Sequence, residues 1–245
     1  MKADHAGSNP GAWPTPITDE ATAATAATAA TAADEAAATD QQPPAPPRDE
    51  PAAQQPSPPH ARTNVATDIA LTASFAALIA VCALLPSISV GGLVPITLQT
   101  FAVMLAGAVL GARRGFLAVL LYLAVGLIGL PVFSGGASGP APFIGPTAGY
   151  LIAFPLAAAL CGFIVERLPR KRVSSSVLSI FLAGFGSSLV FIHTLGPIGL
   201  SVFADLSLPE AILADLVFYP GDIVKNILMA IVATAVHRAF PGILP

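Results

Sequence analysis

The chain has 245 residues, of which 54% are apolar and only 10% charged, with a formal net charge of −3 and a mean hydropathy of +0.74. Soluble domains carry roughly a quarter charged residues, so this composition excludes an ordinary soluble enzyme and points to a membrane protein. The small negative charge offers no basic field for nucleic acid, and Cys82 and Cys161 stand alone in apolar runs, without zinc or haem spacing, so no metal or cofactor is expected.

Residues 1–64 differ from the rest. Nine of the fourteen acids and three of the eleven bases fall within the first 68 residues. Ala21 to Ala33 is built from Ala-Ala-Thr units, and Pro43-Pro44-Ala45-Pro46-Pro47 and Pro56-Ser57-Pro58-Pro59 follow. Few large apolar residues are available to bury, so this stretch is expected to be a disordered, low-complexity tail. It is not a cleavable signal, because Met1-Lys2 precedes no continuous apolar core.

Residues 65–241 are read as one all-α membrane domain. No Lys, Arg, Asp or Glu occurs from Ile69 to Ala112, from Gly115 to Val165 or from Val173 to Ala204. A span needs about 20 apolar residues, so these stretches are divided at their Pro, Gly and Ser punctuation into six transmembrane helices. The first runs from Val65 to Leu85 and stops at Pro86; Ser87 to Leu93 is a turn. The second takes Pro95 to Leu110, a tight break follows at Gly111-Ala112-Arg113-Arg114-Gly115, and the third covers Phe116 to Leu130. Pro131 to Pro146 is a Gly/Ser/Pro-rich loop, the fourth helix spans Thr147 to Val165, and Glu166 to Arg172 is a charged turn. The fifth helix takes Val177 to Leu195, and the sixth is the apolar run Ile223 to Val236.

Small residues mark possible helix–helix contacts. Ala73, Ala76, Ala77, Ala80 and Ala83 recur every three or four residues on the first helix, and Gly107 and Gly111 form a small-xxx-small pair on the second.

With six helices, the tail, Arg113/Arg114, Arg167/Arg170/Lys171/Arg172 and Arg238 share one side. The other has Lys225 at its edge and the acids Asp205, Glu210 and Asp215. The positive-inside rule then places both termini in the cytoplasm of a cell membrane protein. Pro86 to Leu93, Pro131 to Pro146 and Gly196 to Tyr219 become the outer segments.

The last helix opens with Tyr219-Pro220-Gly221-Asp222-Ile223-Val224-Lys225-Asn226. Asp222 and Lys225, three residues apart, share a helix face. Ionised groups in a membrane normally face protein or a water-filled cavity. Asp222 suits the positive end of the helix dipole, but Lys225 does not, which hints at an anionic partner. A plain interfacial ion pair, with Lys225 reaching the headgroups, is the simpler alternative.

Four motifs in order carry a resemblance: Val94-Pro95-Ile96-Thr97-Leu98-Gln99-Thr100; Gly129-Leu130-Pro131-Val132-Phe133 with Gly135-Gly136; Gly145-Pro146-Thr147; and Tyr219-Pro220-Gly221-Asp222 with Lys225. Over Val65 to Phe240 the chain resembles the BioY family, the biotin-binding S subunits of energy-coupling factor (ECF) vitamin importers. The resemblance implies an outward-facing biotin site closed by loops, and docking on a transmembrane T subunit driven by two ATPase subunits. It implies substrate contacts from Asp222 and Lys225, from Gln99 and from Tyr150, where the usual Gly-Gly-Tyr reads Ala148-Gly149-Tyr150. It also implies that Ala73, Ala76, Ala77 and Ala80 form the face offered to the T subunit.

Biotin's ureido group has two N–H donors and a carbonyl, and its aliphatic arm ends in a carboxylate. A carboxylate and amide groups suit the ureido, and an ammonium can pair with its carbonyl or with the arm's carboxylate. An S subunit for thiamin or riboflavin is the near alternative, although riboflavin calls for aromatic stacking and residues 65–241 contain no Trp. A solitary, oligomeric biotin importer is another. The chain has no Walker A loop, so ATP hydrolysis would come from partners.

An enzyme reading rests on Gly136-Ala137-Ser138-Gly139, similar to the nucleophile motif of rhomboid proteases, with His193 as the base. Pro140 and Pro142 prevent the helix that such a serine would start, so Ser138 reads as a loop residue and His193 as a packing residue with one hydrogen bond. Arg113 and Arg114 read as topology or coupling residues rather than ligand contacts.

Overall fold

The structure, a computed structural model, describes residues 65–88 and 94–244 of the chain. The expected tail, and residues 89–93 of the expected Ser87 to Leu93 turn, lie outside the described residues. Helix α1, Val65–Leu84, ends as expected just before Pro86. The chain then returns through an antiparallel bridge in which Ile88 and Ile96 exchange 3.0 Å hydrogen bonds. Among the described residues this bridge is the only β feature. It holds Pro95 and Ile96 outside the next helix, which starts at Gln99 rather than at the expected Pro95.

Helix α2, Gln99–Leu127, is folded in two at Gly111 (φ 84°, ψ −179°), a conformation essentially reserved for glycine. In a continuous helix Gly107 and Gly115 would lie about 12 Å apart along the axis. Here a Cβ on Gly115 would stand 2.7 Å from the Gly107 Cα, so the two arms double back against each other. Glu166 Oε1 accepts a 2.8 Å hydrogen bond from the Ala112 N–H, satisfying a donor at the start of the second arm.

Helix α3, Ala148–Arg167, packs on α2 along its first arm and at its turn. Its carbonyl at Ala158 lies where a Cβ on Gly107 would be, and Gly162 touches the Gly111 turn. The short α4, Arg170–Val173, leads to α5, Val177–Ser187, whose N-cap Ser176 accepts from the Ser179 N–H. A π turn over Ser188–Ile192 joins α5 directly to α6, His193–Phe203.

The helix predicted to stop at Leu195 therefore continues to Phe203, and the outer segment expected from Gly196 is largely helical. Pro197 removes only one backbone donor. Tight packing of Gly196 on Tyr150 and of Gly199 on Gly149 holds the helix together.

Helix α7, Leu208–Asp215, begins with Glu210 accepting from both the Ser207 N–H and its hydroxyl. A 3-10 turn, Leu216–Phe218, passes into α8, Tyr219–Ala239.

Among the described residues, five stretches have the length and apolarity to cross a membrane: α1, α2, α3, Val177–Phe203 and Leu208–Ala239. Folding α2 at Gly111 makes six packed segments, the number expected. Buried residues such as Val103, Met104, Leu110, Ala157 and Cys161 fill the centre, while Leu121, Ile152, Leu182, Val190 and Ile231 point outward as a lipid-facing surface.

Polar groups sort to the two ends of the bundle. At one end Arg114 contacts Asp68 at 2.7 Å and donates to the Ile243 carbonyl at 2.9 Å, Arg170 donates to the Pro241 carbonyl, and Arg238 donates to that of Ser174. At the other end lies a cavity.

Candidate functional site

The cavity has a volume of about 370 Å³, within the range of small-molecule sites. The start of α2, the loop before α3, the start of α3, α6 and the start of α8 converge on it. The loop is anchored by Phe133, whose ring fills the space left by Gly126 and meets Tyr122 and Phe143 edge-on. Thr147 donates to the Pro142 carbonyl at 2.9 Å, closing the loop onto α3.

All four residues read as substrate contacts line this cavity: Gln99, Tyr150, Asp222 and Lys225. The Gln99 amide donates to the Tyr122 hydroxyl at 3.0 Å, which donates to the Val132 carbonyl at 3.3 Å, so Gln99 also ties the loop to α2. Tyr150 places its ring in the wall and donates its hydroxyl to Asp215 Oδ1 at 2.7 Å. Asp222 is 2% exposed; its Oδ1 accepts from Lys225 Nζ at 2.8 Å and from the Thr100 hydroxyl at 3.2 Å. Lys225 Nζ also lies 3.1 Å from that hydroxyl.

Asp222 and Lys225 thus form a site with a residue of α2, beyond an ion pair within one helix. Thr100, the last residue of the first motif, is not among the expected contacts, and its hydroxyl completes the group. Two further polar residues join this network, and His193 makes the one hydrogen bond expected of it, to Asp215. His193 is held by two carboxylates: Nδ1 lies 2.7 Å from Asp215 Oδ2, and Nε2 lies 3.3 Å from Asp222 Oδ2. The second contact is a close approach without hydrogen-bond geometry. Asp215, expected among the outer acids, is 1% exposed. Two ionisable residues within apolar membrane segments were the available signal.

Both ring nitrogens of His193 face carboxylates, so the dyad with Ser138 does not form. Arg114 is engaged with Asp68 and Ile243 at the far end of the bundle, and neither Arg113 nor Arg114 lines the cavity. The alanines of α1 divide between faces: Ala73 and Ala77 are exposed, Ala80 is half-buried, and Ala76 and Ala83 pack inward.

The arrangement joins an ammonium, a carboxylate and a hydroxyl at one place in a largely apolar chamber with Phe133, Leu151, Phe154, Ile192 and Phe218 in its walls. Such a site suits a small molecule with an apolar body and a compact polar group that both donates and accepts hydrogen bonds.

Comparison with known proteins points the same way. The BioY family model matches residues 53–242. The chain is 43% identical over 177 residues to the biotin transporter BioY of Rhizobium etli, covering 71% of this chain and 95% of that one. It is 42% identical over 191 residues to the biotin transporter BioY of Rhodobacter capsulatus, covering 72% and 96%. The crystal structure of the S-component for biotin from an ECF-type ABC transporter superposes with a TM-score of 0.68 at 32% identity, covering 72% of this chain and 94% of that one. These relatives are transporter components, not enzymes, and by sequence and fold together the chain belongs to the BioY family.

Proposed function

We propose that the cavity binds biotin and that the chain is the membrane-embedded substrate-binding subunit of an ECF-type importer. The observation that carries this reading is the Asp222–Lys225–Thr100 group at the edge of an apolar cavity. The ureido N–H groups find an acceptor in Asp222, Lys225 supplies a cation for a carbonyl or carboxylate, and the apolar walls take the thioether ring and aliphatic arm. The names and folds of the relatives support the same ligand.

The cavity faces the outside of the cell in this reading, with both termini in the cytoplasm, and the Pro131 to Pro146 loop covers the bound vitamin. Delivery depends on a T subunit and two ATPase subunits. The T subunit docks on the exposed small face of α1, where Ala73 and Ala77 allow a helix to approach closely.

Calorimetric titration of the purified protein with biotin, thiamin and riboflavin tests the ligand. Saturable binding of biotin alone is expected. Binding of thiamin or riboflavin in its place would overturn the assignment.

A further inference from the structure

Asp215 does not line the cavity, and His193, which does, turns both ring nitrogens to carboxylates. Asp215 ends α7, His193 begins α6, and both side chains are 1% exposed. A buried carboxylate must be matched by donors around it. Asp215 has one on each oxygen: the Tyr150 hydroxyl on Oδ1 and His193 Nδ1 on Oδ2, both at 2.7 Å.

The far side of the His193 ring reaches Asp222. Its Nε2 stands 3.3 Å from Oδ2, while Oδ1 of the same carboxylate is held by Lys225 and Thr100. Tyr150, Asp215, His193, Asp222 and Lys225 therefore make one continuous polar chain through side chains of α3, α7, α6 and α8. Acceptor-only carboxylates on both ring nitrogens are matched by a ring with a proton on each. Two carboxylates, one imidazolium and one ammonium then sum to no net charge, the condition under which such a cluster tolerates burial.

The backbone is shaped to the same end. The π turn Ser188–Ile192 comes immediately before His193. Such turns rotate the following helix relative to an unbroken one and recur at functional sites. The ring is supported on another side by Tyr219, with centroids 4.3 Å apart.

Taking the biotin reading of the cavity as given, we infer that His193 and Asp215 are positioning residues for ligand recognition. They fix the rotation of the Asp222 carboxylate, so that Oδ1 grips Lys225 while Oδ2 keeps an acceptor position for a ligand N–H. Asp215 stands behind the cavity wall, and His193, on that wall, acts through Asp222. Asp215 acts on the ring, the ring acts on Asp222, and Asp222 sets the ligand-facing geometry together with Lys225. Without the ring, the Asp222 carboxylate can turn, and the ammonium it holds moves with it.

A double-mutant cycle on the purified full-length protein, read by biotin titration, tests this role. His193→Gln and Asp215→Asn should each weaken biotin binding about tenfold, or about 1.4 kcal/mol, as the Asp222 carboxylate loses its fixed rotation. In an Asp222→Asn background, either change should add less than about twofold, because the group they position is already altered. Tyr150→Phe keeps the ring and removes only the hydroxyl on Asp215. It should cost about threefold alone, and that cost should vanish beside Asp215→Asn. This mild variant keeps the test decisive if His193→Gln does not fold.

Losses that multiply in full in the double variants would overturn the inference, as would single variants that bind like the original protein. Failure of the original protein to bind biotin would instead overturn the reading on which the inference rests.

Discussion

Lys225 Nζ lies 2.8 Å from Asp222 Oδ1, one turn away along α8, and the Thr100 hydroxyl of α2 touches both. The pair is shared between two helices and faces a cavity, so neither charge is free to snorkel into the headgroups. Asp222→Asn keeps the shape but loses the acceptor-only carboxylate, and Lys225→Met removes the charge at similar length. Each should cost about 1.5–3 kcal/mol in biotin binding, roughly ten- to a hundredfold. Titration of each purified variant checks this; affinity unchanged in both would remove the pair from the site.

Gly111 sits at the opposite end of the bundle from the cavity, at φ 84° and ψ −179°. Gly111→Ala forces an alanine into a region it avoids and drives its methyl into the Glu166 carboxylate. The expected cost is about 1–3 kcal/mol of stability. Thermal unfolding in detergent should show a lower midpoint, with biotin affinity unchanged in the protein that remains folded. An unaltered midpoint would mean that α2 does not need this turn.

Much of this architecture is legible in the sequence. Charge-free stretches bounded by Arg113-Arg114 and by Glu166 to Arg172 mark the membrane segments, because charges are costly inside a bilayer. Asp222 and Lys225 stand out for the same reason. Helix continuity through Gly196-Pro197 is not legible, since it depends on α3 presenting Gly149 and Tyr150 to that surface. The Asp215–His193 contact is hidden likewise: the residues are 22 apart, and the reversal between α6 and α7 brings them together. The alanine spacing on α1 identifies small residues but not which face each occupies. Packing against α2 buries Ala76 and leaves Ala73 and Ala77 outside.

Those exposed alanines separate binding from delivery. Ala73→Leu and Ala77→Leu lie away from the cavity and should leave biotin affinity in detergent unchanged. Each should lower biotin uptake by cells and reduce co-purification with a T subunit, because added bulk keeps the partner helix at a distance. Uptake and binding measured side by side give the answer: loss of binding, or normal uptake, contradicts a docking role for this face.

The two polar ends of the bundle give a topology test. Single cysteines at Ser138 in the loop and at Ser174 beside the basic end, with Cys82 and Cys161 replaced, should differ in intact cells. Ser138→Cys should react with a membrane-impermeant maleimide and Ser174→Cys should not. Equal labelling, or the reverse pattern, contradicts an outward-facing cavity with cytoplasmic termini.

The most direct measurement is a structure of the protein with biotin bound. The vitamin is expected in the cavity between the Pro131 to Pro146 loop and the start of α8. A polar group of the ligand should lie within about 3.2 Å of Lys225 Nζ, and a ureido N–H should point at Asp222. Biotin bound at the basic end, on the lipid-facing surface, or in the cavity without either contact would contradict this expectation.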